Sequence, residues 1–295
     1  MFLKKLFFKP NFIAFYQVNN TYKLLNEQYK KETIFFSETK EFDNEKDLKK
    51  YIKSVIDDNP QTYVSNLIFS QNQGVVPSCD KRVYKEIGIN LENITSICIN
   101  NKYSFYTTIY ELMEIKKNYP FIDFLYPVFA VIDFKSSIRH NALYVLVTDD
   151  YSYVLIFKDN LPFFADIFDI KEEEFLDDDD EDEEEGIEDI TGMDIIEEEF
   201  DDSLDENIEE VDETEIEQEN IEHLNVEYKI IEYIKTALKE YYESDGDFVE
   251  KIFIFDTIGM QKNITNIIND EIFIESSIEN LDILKTINDM SRKNV

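Results

Sequence analysis

The sequence predicts an α/β protein in which helices cover mixed sheets, and three observations point that way. Apolar runs of strand length, rich in Ile, Phe, Tyr and Val, recur along the chain, as in LYVLVT, YVLIFK and KIFIFD. Other segments, such as 44–58 and 226–241, repeat their apolar residues at helical spacing instead. Turn chemistry divides the runs, with Asp57-Asp58-Asn59-Pro60, Asp149-Asp150 and Asp159-Asn160 as the clearest punctuation.

Taken in order, Phe12–Val18 and Thr33–Phe36 read as strands, with Tyr22–Leu25 as a middle strand completing a meander. Leu48, Tyr51, Ile52, Val55 and Ile56 lie on one face of a helix that Asp43 or Asn44 would cap. Tyr63–Ser70 is a strand, Val83–Ile87 a short helix ended by Gly88, and Ile94–Ile99 a strand. Tyr106–Lys117 reads as a helix, while Phe121–Tyr126 is apolar without a decisive period. Val128–Phe134 (VFAVIDF) reads as a near-continuous buried strand. Antiparallel strands at Leu143–Thr148, Tyr153–Lys158 and Phe163–Phe168 follow it. After an acidic block, Val226 to Tyr241 forms a long amphipathic helix and Lys251–Asp256 a buried strand. Thr257-Ile258-Gly259 is a loop, Ile264–Ile268 a helix, Ile272–Glu275 a short strand and Ile283–Met290 a closing helix.

The formal charge of −36 over 295 residues is concentrated in one place. Between Lys171 and Glu222 stand about 30 acidic residues and a single lysine, the composition of a solvated linker or tail. The remainder carries roughly −7, an ordinary globular balance. Residues 172–222 are therefore expected to be largely disordered, or at most partly helical, because so little apolar surface cannot offset the entropy of ordering. The same charge opposes binding to a nucleic-acid backbone. Cys79 and Cys98 sit in no CxxC or Cys/His cluster and are expected as two reduced thiols in a cytosolic protein. His140 and His223 are isolated, so no zinc spacing exists. The N-terminal MFLKKLFFKPNF lacks the apolar core of a signal peptide, and no window approaches the length of a membrane span.

A meander followed by helix and strand units occurs twice, at 12–36 then 44–117, and at 128–168 then 226–275. With LYVLVTDDYSYVLIFKDNLPFFADIFDI, IIEYIKTALKEYY and KIFIFDTIGMQKNITNIINDEI, this duplicated order resembles the actin-like ATPase superfold. Within it the chain is similar to PilM of type IV pilus systems and to the cytoplasmic part of GspL of type II secretion. The resemblance implies a two-lobed, duplicated ribonuclease H-like architecture carrying a long acidic insertion. Its first subdomain pair would be residues 1–127 and its second 128–171 with 223–295, residues 172–222 being the insertion.

In actin-like ATPases, hairpin turns bearing Asp and Gly grip phosphates and metal, and later glycines admit adenosine, because a Cβ would keep the backbone away. Here the first turn region, QVNNTYKLLNEQ, has neither Asp nor Gly. The second, VTDDYSY, keeps Asp149 and Asp150 without glycine, and FDTIGMQ keeps only Gly259. If nucleotide bound, Asp149 or Asp150 would hold Mg²⁺ through water and Gly259 would lie near adenosine. As ordinary turn residues they need no ligand. No Walker motif, GxGxxG or GxSxG occurs, so no catalytic residue is expected.

The leading expectation is a non-catalytic cytosolic scaffold of a pilus, type II secretion or DNA-uptake machine. The resemblance implies that it docks the cytosolic tail of an inner-membrane assembly protein, and the secretion or pilus ATPase. Two alternatives stand beside it: an actin-like protein with a working ATP site, and a binding or chaperone protein whose active part is the acidic segment.

Overall fold

The computed structural model describes residues 8–171 and 213–295, with side chains of the last long helix described from residue 226. The first large sheet opens with the meander β1 (Asn11–Val18), β2 (Thr21–Lys30) and β3 (Thr33–Phe42). Asn19 and Asn20 turn the β1–β2 hairpin at φ 46° and 63°, a left-handed conformation that Asn tolerates better than most residues. Helix α1 (Glu45–Asp58) follows, capped by Asn44, whose side-chain oxygen accepts from the Asp47 N–H at 3.0 Å. Its Leu48 and Ile52 are fully buried against Ile13, Phe15, Leu24 and Val64. β4 (Thr62–Ile68) then runs parallel to β1.

Next come β5 (Gln73–Val76), α2 (Lys81–Glu86), β6 (Ile94–Ile99), β7 (Tyr103–Thr108) and α3 (Ile109–Asn118). These strands form a separate sheet in the order β5-β7-β6. The helix expected from Tyr106 starts instead at Ile109, because Tyr103–Thr108 is the central strand of this small sheet, with Tyr103, Ser104, Phe105 and Thr107 buried. The cysteines are also corrected. Cys79 and Cys98 form a disulfide, since the segment before α2 and strand β6 bring their Cα atoms to 5.6 Å.

β8 (Phe124–Pro127) closes the first sheet, and α4 (Val128–Lys135) follows. VFAVIDF was expected as a strand and is this helix. It is enclosed by side chains all round, with Val128, Phe129, Val131, Ile132 and Asp133 buried, so no polar face marks the helical period. The second meander accordingly starts at residue 142: β9 (Ala142–Val147), β10 (Tyr151–Lys158) and β11 (Leu161–Asp169). Then come α5 (Glu213–Glu243), β12 (Lys251–Asp256), α6 (Ile264–Ile272), β13 (Glu275–Asn280) and α7 (Ile283–Lys293). The strand expected at Ile272–Glu275 is displaced, because α6 continues to Ile272 and Phe273 ends it in a left-handed turn. Of the expected disordered segment, residues 172–212 lie outside the described residues, and 213–222 are helical.

The two large sheets share one plan, with orders β3-β2-β1-β4-β8 and β11-β10-β9-β12-β13. In each, an antiparallel meander is extended by two parallel strands. Their inner faces meet in a common core. Leu143, Val145 and Val147 of β9 pack with α5 and α6, whereas Tyr144 and Leu146 join the core formed with α4 and α7. Both faces of β9 are thus covered, which explains its uninterrupted apolar sequence. The last helix crosses to the first sheet. Lys285 Nζ lies 2.9 and 3.1 Å from the carboxylate oxygens of buried Glu27 and donates to Tyr29 Oη at 2.7 Å.

Candidate functional site

The duplicated sheets bring two hairpin turns together, Asn19-Asn20 after β1 and Asp149-Asp150 after β9. Each follows from its strands: the first register ends at the pair Val18–Thr21, the second at Val147–Ser152. Thr148 shapes the second turn, its hydroxyl donating to the Tyr151 carbonyl at 2.8 Å. Lys171, just beyond β11, ties the turns together. Its ammonium pairs with Asp150 and donates to Asn19 Oδ1 at 2.7 Å. The hydrogen bond to Asp150 raises the Lys171 pKa, so the bridge stays cationic at neutral pH.

At the base of the second turn lies a cavity of about 40 Å³, lined by Tyr16, Phe69, Asp149, Asp150, Thr257 and Ile283. Ligand pockets usually measure ~300–1,000 Å³. Aromatic rings take up the space: Tyr16 packs edge-on to Phe69 at 5.4 Å, and Phe69 contacts Tyr153 at 6.3 Å. Tyr153 also meets Phe129 of α4 and Tyr151. Burial, aided by the negative charge of Asp149, pushes the Tyr16 hydroxyl up to about 12, so it remains neutral. A triphosphate entering here would have to displace these rings and the Lys171 bridge.

Asp149 and Asp150 lie at the cleft, Asp149 exposed and Asp150 engaged by Lys171. Gly259 is on the neighbouring loop after β12, at φ +85° and exposed, and it lines neither cleft cavity. Its N–H already donates to Asp256 Oδ1 at 3.0 Å. Asp256 also accepts from the N–H groups of Ile258 and Met260, each at 2.9 Å. This loop is closed upon a carboxylate of its own chain rather than aiming its amides at an external anion. Among the described residues, no group of three or more His, Cys, Asp or Glu side chains is arranged to hold a metal ion. Lys171 and the filling aromatics escaped sequence inspection. The one signal was that Lys171 is the only base bordering the acidic block.

A second space, about 530 Å³, is lined by residues of both turns, Asn19, Asn20 and Asp150, together with α3 and the start of β10. Gln17, Asn19, Asn20 and Asn66 supply amides to its wall, and Phe15, Ile115 and Tyr119 supply apolar surface. Asn66 Nδ2 is held by the Phe15 carbonyl at 3.0 Å.

Paired five-stranded sheets with a shared interlobe core and facing hairpin turns define an actin-like ATPase fold. The type IV pilus biogenesis complex PilM–PilN supports this assignment, aligning at a TM-score of 0.50 with 6% identity over 91% of this chain and 88% of that one. A Bacteroides thetaiotaomicron protein described as having an actin-like ATPase fold and unknown function aligns at 0.47, with 11% identity over 97% and 95% of the two chains. The cytoplasmic domain of EpsL, an inner membrane component of the Vibrio cholerae type II secretion system, aligns at 0.45, with 10% identity over 97% and 95%. The chain belongs to the family described as Domain of unknown function (DUF8341), whose model matches residues 143–295. Residues 8–133 match a second family, also described as a domain of unknown function (DUF8569). No curated protein matches the sequence. No helix among the described residues is long and apolar enough to cross a membrane.

Proposed function

We propose that this chain is a non-catalytic scaffold: an actin-like subunit of a pilus, type II secretion or DNA-uptake machine, acting at the cytoplasmic face of the inner membrane. One observation carries the non-catalytic part. The two hairpin turns are bridged by Lys171, which supplies its own cation to Asp150, and aromatic rings reduce the cavity at the base of the second turn to about 40 Å³. Thermal melting with millimolar MgATP tests it, because a ligand that binds only the native state raises the melting temperature. We expect no shift, and a rise that grows with MgATP concentration would overturn the proposal.

The scaffold role consists in holding the cytosolic tail of an inner-membrane assembly protein and, on another surface, the machine's ATPase. The 530 Å³ groove suits the tail, since its amides match peptide N–H and C=O groups and its apolar wall offers anchoring surface. The name of the PilM–PilN complex supports a partner of this kind. Immobilised tail peptides should capture the wild-type chain and fail to capture Ile115→Arg. Equal capture of both, or of neither, would remove the groove assignment.

A further inference from the structure

At the end of the first sheet remote from the hairpin cleft, cationic and aromatic side chains gather on one surface. Phe8, Ile34, Phe35 and Phe36 are exposed, Phe35 by 48% and Phe36 by 41%. Lys9 Nζ lies 3.8 Å from the centre of the Phe35 ring. Lys30 ends β2, Lys31 and Glu32 form the adjoining β2–β3 turn, and α7 ends beside it with Arg292, which pairs with Glu32, and Lys293. A groove of about 740 Å³ separates that turn from the helix end, with Phe12, Tyr29 and Phe134 among its lining residues. Arg292 stacks on Tyr29 at 3.9 Å and Lys293 on Phe134 at 4.3 Å. Among the described residues, Lys9, Lys30, Lys31 and Lys293 form no salt bridge.

Four lysines without salt bridges thus stand beside four exposed apolar residues, Phe8, Ile34, Phe35 and Phe36. Lys171, which borders the acidic block in the sequence, touches Asn19 at the opposite end of β1 and β2, and the ten residues of β2, roughly 33 Å, separate the two ends.

We propose that this face rests on an anionic phospholipid surface, with Lys9, Lys30, Lys31 and Lys293 meeting headgroup phosphates and Ile34, Phe35 and Phe36 entering the interfacial region. Clustered Lys with interspersed Phe is the composition that such interfaces favour. β3 is the open edge strand of the first sheet. The proposal deepens the scaffold reading and rests on it for the nearness of a membrane. It also orients the molecule, turning the hairpin cleft away from the lipid.

Co-sedimentation of the full chain with phosphatidylcholine vesicles, with and without phosphatidylglycerol, tests the proposal. The wild type should bind the anionic vesicles, bind less in high salt and ignore the neutral ones. The pairs Lys31→Glu with Lys293→Glu, and Phe35→Ser with Phe36→Ser, should each weaken binding about tenfold or more. Circular dichroism and melting show whether each pair remains folded. Failure to sediment with anionic vesicles, equal binding to neutral ones, or undiminished binding of folded variants would overturn the proposal. So would a concentration-dependent doubling of mass, abolished by the Phe35 and Phe36 substitutions, which would assign the face to a second copy of the chain. The MgATP and tail-peptide experiments contain no vesicles, so a negative result here leaves the scaffold proposal intact.

Discussion

Asp256 and Gly259 show how a loop built for its own chain differs from one built for a ligand. Asp256 is almost wholly buried and accepts three backbone N–H groups, so Asp256→Asn replaces a charge-assisted acceptor with an amide that mismatches at least one donor. A loss of about 1–3 kcal/mol in urea unfolding is expected. Gly259→Ala should cost only about 1–2 kcal/mol, because its φ of +85° is unfavourable to Ala but nothing lies within 4 Å of the added Cβ. If Gly259 admitted adenosine, the larger effect of that change would be on ligand affinity. Asp133 gives the pH dependence. Burial raises its pKa, opposed by the charge of Arg139 at 3.1 Å and the Tyr103 hydroxyl at 2.8 Å. With the folded pKa above the unfolded value, its contribution is fully present below about pH 4 and is lost as pH rises through the folded pKa. Asp133→Asn should flatten that decline in stability above pH 4, as read from denaturant titrations across the acidic range.

Helix α7 is the element on which the two sheets depend. Ile283, Leu284, Ile287 and Met290 enter the shared core, and Lys285 and Asn288 both reach Glu27. Burial would lower the Lys285 pKa, but hydrogen bonds to Tyr29 and Glu27 and the charge of Glu27 raise it overall. Lys285→Met strands a carboxylate that is 2% exposed and should destabilise the protein by about 3–5 kcal/mol. Adding Glu27→Leu removes the stranded charge and should recover most of the loss, measured as the urea midpoint at constant slope. The disulfide acts on the small sheet. With its cysteines 19 positions apart in the sequence, reduction should lower stability by about 3 kcal/mol, with the reduced protein melting earlier than the oxidised. Alkylation of the native, unreduced protein should label neither Cys79 nor Cys98.

For the whole molecule, the three buried clusters lie entirely among residues 12–170 and 230–290. Replacing residues 172–212 by a short Gly-Ser linker should therefore leave the melting temperature within a few degrees of the wild type, while raising the isoelectric point from about 4.2. A large drop would mean that the acidic block contributes to the folded body. Retained capture of the tail peptide by this variant would exclude the block as the working part of the protein.

The α/β class, most strands and the long helix were legible because half-buried strands and amphipathic helices write their exposure into the sequence with different periods. Asn44, Asp159 and Asn160 likewise announced a cap and a turn, since their side chains satisfy or tolerate those backbones locally. What remained hidden was set by distant neighbours. VFAVIDFK became a helix because both sheets enclose it, YSFYTT became a strand because β5 and β6 flank it, and Cys79 met Cys98 through that same pairing. The sequence by itself determined that the hairpin turns lack the glycines a phosphate would need. Only the tertiary structure decided that Tyr16, Phe69 and Tyr153 pack together near the second turn and that Lys171 bridges the two, because cleft volume depends on which side chains converge from elements far apart in the chain.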